Sequence, residues 1–222
     1  MDAAHARLLK EIEAEALSTA AYTGIAAFDA RVMRALAEVP RREFVPEEER
    51  VSAYLDLPLP IGHGQTISQP YIVALMTHLL EVEAGDVVLE VGAGSGYQSA
   101  VLSKLAREVH AVEIVPALAR ACRERLARLG FANVAVHEGD GGAGWASAAP
   151  FDAILVAAAA RRVPPALAAQ LKPGGRLAIP LGEEGATQEL VLLAKDERGQ
   201  VSSRLVLPVR FVPLTGRAQF VS

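Results

Sequence analysis

The chain has one cysteine, Cys122, in 222 residues, so no intramolecular disulfide holds it together. That cysteine falls inside a helical pattern with no histidine beside it, which reads as a small buried residue rather than a nucleophile. An excess of positive charge is lacking too, with 22 Lys and Arg against 26 Asp and Glu. The formal net charge is -4, so no global basic field would recruit nucleic acid or an anionic membrane. Arg41-Arg42 and Arg161-Arg162 are the obvious local basic clusters, and beside proline-rich turns they read as solvated loop charges. Long apolar runs are missing as well, the longest being alanine-rich and far short of a membrane span. The first residues, Met1-Asp2-Ala3-Ala4-His5-Ala6-Arg7, carry an acid and lack the apolar stretch of a signal peptide. No internal repeat or low-complexity linker interrupts the chain. The expectation is a cytoplasmic, reduced environment, with neither nucleic acid nor membrane as partner and no bound metal.

With 51% of its residues hydrophobic, the chain can build one sizeable core, and residues 1–222 read as a single domain. Residues 1–69 form a helical extension and a loop. Leu8, Leu9, Ile12 and Leu17 fit one apolar helix face, and Phe28, Val32, Met33, Leu36 and Val39 fit another, with a break at Tyr22-Thr23-Gly24. From Phe44 to Thr66 the chain is punctuated by proline and glycine yet apolar enough to pack, which favours a functional segment over a disordered one. Residues 70–182 alternate strands with helices. Pro70 and Pro116 open helices, while Val87–Val91, Glu108–Ile114, Val134–His137, Phe151–Ala157 and Arg176–Pro180 read as strands. Residues 183–222 break the alternation with two apolar runs, Leu190–Ala194 and Val201–Leu207, around a polar turn. The predicted fold is a doubly wound, mostly parallel α/β sheet ending in an antiparallel hairpin.

The sharpest local signal is Glu90-Val91-Gly92-Ala93-Gly94-Ser95-Gly96-Tyr97, directly after the first of those core strands. Its glycines permit a tight strand-to-helix turn and close backbone approach to a ligand. A dinucleotide fingerprint would need glycine at 97, where Tyr97 stands, so the spacing suits a cofactor without a pyrophosphate. The plainer reading is a turn whose glycines serve geometry only. Glu113 ends the next strand about 20 residues further on, where a carboxylate can accept both ribose hydroxyls. Asp140, after the third strand, can accept the exocyclic amine of adenine, with Gly141 offering its amide. Alone, Asp140 reads equally well as a turn residue. In chain order with the glycine turn and Glu113 it falls at the carboxyl ends of adjacent strands, where open α/β sheets bind ligands.

Together these residues resemble the class I methyltransferases, and the likeness reaches a family within them. Pro60-Ile61-Gly62-His63-Gly64-Gln65-Thr66-Ile67-Ser68-Gln69-Pro70-Tyr71 is similar to the signature of the protein-L-isoaspartate O-methyltransferases. So are Val39-Pro40-Arg41 with Phe44-Val45-Pro46, Leu89 through Gln98, and Gly139-Asp140-Gly141 with Gly144-Trp145. Ala149 through Ile154, Leu171 through Arg176, and Phe211-Val212-Pro213-Leu214 complete the pattern, in consistent order over roughly residues 24 to 216.

The resemblance implies a Rossmann-like methyltransferase that uses S-adenosylmethionine to esterify the α-carboxylate of L-isoaspartyl residues in damaged proteins. It implies that Gly92, Gly94 and Gly96 hold the methionine portion, Glu113 the ribose, and Asp140 with Gly141 the adenine, with Glu90 also among the cofactor-binding residues. Ser68 matches the active-site hydroxyl, read as a hydrogen-bond donor that orients a carboxylate. Ile61, Gly62, His63, Gln65, Thr66 and Ile67 form the peptide-facing loop. His63 stays open between a proton shuttle and a structural or peptide-contacting residue. Ala157 departs from the threonine that many members carry, which bears on fine substrate contacts. A monomer is expected. A methyltransferase of RNA or small molecules would share the glycine turn, Glu113 and Asp140 but not the Gly62-to-Pro70 loop. A non-catalytic module of the same fold would have no use for intact cofactor positions.

Overall fold

A computed structural model describes residues 2–216. Two N-terminal helices come first, α1 (Ala3–Thr23) and α2 (Ala30–Glu38). Asp2 caps α1 by accepting the His5 amide, and Gly24 closes it in the left-handed region. The buried stripe of α1 runs through His5, Leu8, Ile12, Ala16 and Thr23. Leu17, predicted on that face, is instead 67% exposed. Each residue turns the helix by about 100°, so Leu17 leaves the stripe that Ala16 still occupies.

The region from Phe44 to Thr66 is more ordered than its prolines suggest. A short antiparallel hairpin, β1 (Leu59–Gly62) with β2 (Gln65–Ile67), stands just before α3 (Pro70–Leu79). Its tip, Gly62-His63-Gly64, has φ values of 87°, 54° and 71°, so His63 holds a left-handed backbone between two glycines.

The core then alternates β3 (Val87–Val91), α4 (Tyr97–Ser103), β4 (Glu108–Glu113), α5 (Pro116–Arg128), β5 (Val134–Glu138), β6 (Phe151–Val156) and α6 (Pro165–Gln170). Three longer strands follow, β7 (Leu171–Leu181), β8 (Gln188–Lys195) and β9 (Val201–Val209). They form one seven-stranded sheet in the order β5-β4-β3-β6-β7-β8-β9, parallel through β7 and antiparallel beyond. The predicted doubly wound sheet with its C-terminal hairpin is the fold observed. The strand predicted over Arg176–Pro180 is longer than expected, because Lys172-Pro173-Gly174-Gly175 also lies inside β7. Phe151 pairs with Leu171 and Ala153 with Arg176, so the extra residues are accommodated by a break in register.

Each face of the sheet covers its own core. Val87, Leu89 and Val91 join Ile154, Val156 and Leu177 on one side, while Val88 joins Ala111, Leu155 and the N-terminal helices on the other. Alternation along β3 therefore puts Glu90 on the Val88 face. Strand order reverses between β3 and β6, and the crevice beyond their carboxyl ends is the expected ligand site of an open α/β sheet. No helix among the described residues is long and apolar enough to cross a membrane.

Candidate active site

The loop after β3 meets the loop after β6 at that reversal. The Ala157 amide donates to the Val91 carbonyl at 2.8 Å, and the Gly92 amide donates to the Val112 carbonyl at 2.8 Å. Gly92, Gly94 and Gly96 all have positive φ. Gly96 shows why glycine is required: a Cβ there would lie 2.8 Å from Cys122 Sγ and 3.3 Å from two Leu126 carbons, both residues being packed on α5. Burial pushes the Cys122 thiol up to about 12, so it is a packing group and no nucleophile.

Glu113 holds the turn from the next strand. One carboxylate oxygen accepts the Gly94 amide at 2.8 Å and the other accepts the Val115 amide at 2.9 Å, with the residue 5% exposed. Glu113 borders a cavity of about 50 Å³ together with Gly92, Gly94, Gly141 and Ala157. Gly141 is again spatially required, because a side chain there would run into Val91. Asp140 caps the short turn Gly141–Ala143 by accepting the Gly142 amide at 3.0 Å. Neither Asp140 nor Gly96 lines this cavity; both shape the loops that do.

Glu90 borders a second small cavity with Gly92, Gly94 and Ser68. It is fully buried; Ser99 donates a short hydrogen bond to Oε2, while Oε1 has no partner. Burial pushes this carboxyl up to about 8, opposed by the Ser99 hydrogen bond and helped by the Glu113 charge. An orphaned acid oxygen beside a glycine turn fits a ligand that brings a cationic donor. Glu113, acceptor-only and already oriented, fits vicinal hydroxyls. The residues present thus suit S-adenosylmethionine. Among the described residues, no group of three or more His, Cys, Asp or Glu is placed to hold a metal ion.

The hairpin roofs this turn. Ile61 Cδ1 would stand 3.1 Å from a Cβ at Gly94, and Ile67 is buried against the Glu90 cavity. On its other side opens a larger cleft of about 400 Å³, bordered by Ser68, Gln69, Ile72, Val209 and Phe211. Thr66 and Ala157 line all three cavities, and Ser68 lines the large cleft and the Glu90 cavity. Gln65 reaches the Glu113 cavity, whereas Gly62 and His63 sit exposed at the hairpin tip and line none of the three.

Two features escaped the sequence reading. Glu15 of α1 borders the large cleft near Asp56. Gln69 Nε2 donates to Asp56 at 3.1 Å, and Asp56 accepts the Tyr71 amide at 2.8 Å. Burial and the neighbouring Asp56 push Glu15 up to about 7. Arg41, expected to be a solvated loop charge, is 0% exposed. Its guanidinium donates to two backbone carbonyls, those of Ser68 and Leu57, and this removes it from solvent.

Comparison with known proteins points to one family. Residues 14–219 match the family model described as protein-L-isoaspartate(D-aspartate) O-methyltransferase. The chain is 56% identical over 214 residues to protein-L-isoaspartate O-methyltransferase 2 of Syntrophobacter fumaroxidans, covering 96% of this chain and 87% of that one. A solved protein-L-isoaspartate O-methyltransferase superposes with a TM-score of 0.83 at 27% identity, over 96% of this chain and 66% of its own. The Plasmodium falciparum structure described as a putative protein-L-isoaspartate O-methyltransferase, in complex with S-adenosyl-L-homocysteine, gives 0.78 at 26% identity over 95% and 98%. The chain belongs to the protein-L-isoaspartate(D-aspartate) O-methyltransferase family.

Proposed function

We propose that this chain, acting as a monomeric single domain in the cytoplasm, methylates the α-carboxylate of L-isoaspartyl residues in damaged proteins and so starts their repair. The observation that carries this reading is the junction of cavities. Ser68, Thr66 and Ala157 border both the glycine-turn side and the 400 Å³ cleft, which has room for a peptide segment. When bound, S-adenosylmethionine supplies an electrophilic methyl group and leaves as S-adenosylhomocysteine once the oxygen–carbon bond has formed. Glu90 takes the cationic end of its methionine portion beside Gly92, Gly94 and Gly96. Glu113 takes the ribose, and Asp140 with Gly141 the adenine.

The chain needs no general base. A peptide carboxylate has a pKa of about 3 to 4 and is already an anion at neutral pH. The task left to Ser68 is to donate a hydrogen bond that aims one carboxylate oxygen at the methyl carbon, since alignment dominates such a transfer. Thr66 borders the cleft beside it, and the hairpin that also carries Ile61, Gly62, His63, Gln65 and Ile67 is the element along which the peptide backbone would run. Ala157, where many members carry threonine, leaves Thr66 as the hydroxyl-bearing half of the wall that the two residues share.

Selectivity follows from the path of the peptide chain. In an isoaspartyl residue the main chain runs through the side-chain carbonyl, so the free carboxylate sits one methylene closer to the backbone than in aspartate. A backbone held by the hairpin places the aspartyl oxygen about an ångström out of line, at a cost on the order of 10²-fold in rate. The methyl ester, a better electrophile than the carboxylate, then closes to a succinimide with loss of methanol. Hydrolysis yields some normal aspartate. Paired peptides differing only in isoaspartate or aspartate test this: the first should give a base-labile ester, methanol and growing aspartyl peptide. Equal methylation of the aspartyl control, or a stable ester with no aspartyl product, overturns the repair function.

A further inference from the structure

Arg41 heads the largest side chains that are fully buried in the protein. It opens the 3-10 turn Arg41–Phe44 directly behind α2. Nη1 donates to the Ser68 carbonyl at 2.8 Å and Nη2 to the Leu57 carbonyl at 3.0 Å. The guanidinium carbon lies 5.2 Å from the centroid of the Tyr97 ring, and Tyr97 borders the Glu90 cavity. Leu57 and Ser68 flank the β1–β2 hairpin, one on each side. A single planar cation therefore grips both ends of the segment that separates the glycine turn from the large cleft.

This is an expensive way to fill a core. Among the described residues Arg41 has no ion pair, and its Nε has no partner. Burial lowers the guanidinium to about 10, with Tyr97 and Asp56 acting the other way, so it stays a cation at neutral pH. A buried cation without a carboxylate partner costs stability that an apolar residue of the same volume would not. What an apolar residue cannot supply is a rigid fork reaching two carbonyls, and the compact ammonium of lysine cannot supply it either.

We propose that Arg41 is a positioning residue for the methyl transfer, clamping the hairpin so that Ser68 keeps its register over the glycine turn. The inference rests on the function proposed above. One of its carbonyl partners belongs to Ser68, so the hydroxyl that aims the substrate rides on the clamped residue. Ile61, packed over Gly94, ties the middle of the same segment to the cofactor turn.

R41K and R41M separate this role from bulk stability. In R41M, kcat for an isoaspartyl peptide should fall on the order of 10²-fold, with S-adenosylhomocysteine affinity by calorimetry and peptide KM within about threefold of wild type. R41K, which keeps the charge but not the fork, should fall between the two. Hydrogen exchange of the 59–67 amides should quicken at least about tenfold while the β3 and β6 amides keep their protection. An unchanged kcat in both variants overturns the proposal. So does an exchange increase spread equally over β3 and β6, including outright unfolding of R41K, because either assigns Arg41 to core stability alone. A wild-type protein inactive on isoaspartyl peptide would instead sink the function, while the exchange contrast still decides the clamp.

Discussion

Ser68 and Glu90 show how differently two polar side chains are held around one cavity. Ser68 is half-buried at the meeting of two cavities, and its assigned work is orientation. Ser68→Ala should lower kcat on the order of 10²-fold and leave S-adenosylhomocysteine affinity nearly intact. A trapped covalent Ser68 adduct in wild type would show that orientation is the wrong role. Glu90 is a buried acid raised to about 8, so its neutral form prevails in the ligand-free protein at pH 7. A cationic donor arriving at Oε1 favours the anion, and ligand binding should release a proton. Calorimetry of S-adenosylhomocysteine binding at pH 7 should give enthalpies that differ between phosphate and Tris, and E90Q should erase the difference. Identical enthalpies in wild type would remove the linkage. The same group sets a stability trend. Because its folded value is raised, its contribution is complete below the unfolded value of about 4.5 and is lost as pH rises through about 8. E90Q should therefore gain stability over wild type as pH climbs across that window.

At the scale of elements, the turn between β3 and α4 depends on α5 lying close behind it. Gly96→Ala would force a methyl group to 2.8 Å from Cys122 Sγ in a left-handed conformation, with Leu126 closing the remaining space. Overpacking and backbone strain together should cost about 1–3 kcal/mol in urea unfolding. Gly85 is the control: it has no positive φ, and nothing within 4 Å of an added Cβ, so Gly85→Ala should be neutral or slightly stabilising. Equal losses for both would mean that contact with α5 is not what fixes glycine at 96.

Across the whole molecule, how much could be read in advance depended on how local each cause was. Strands β3 to β6 announced themselves as apolar runs, and prolines at positions 70 and 116 marked two helix starts. That Glu90, Glu113 and Gly141 gather around one glycine turn was legible, because strand ends and glycine spacing fix position in the sequence. The β1–β2 hairpin was not legible, since strands of four and three residues containing Pro60 give no periodic signal. Arg41 was misread for a different reason. Nothing in Pro40-Arg41-Arg42 tells which arginine meets two carbonyls 16 and 27 residues away. Leu17 failed because one position around a helix separates a core residue from a solvated one.

The wall formed by Thr66 and Ala157 has a further consequence. Since both residues border all three cavities, a group added at either changes the two small cavities and the wide cleft at once. Their shapes cannot be tuned independently through that wall. Residues such as Val209 and Phe211, which border the wide cleft and neither small cavity, leave its outline free to drift while the cavities at the glycine turn stay as they are.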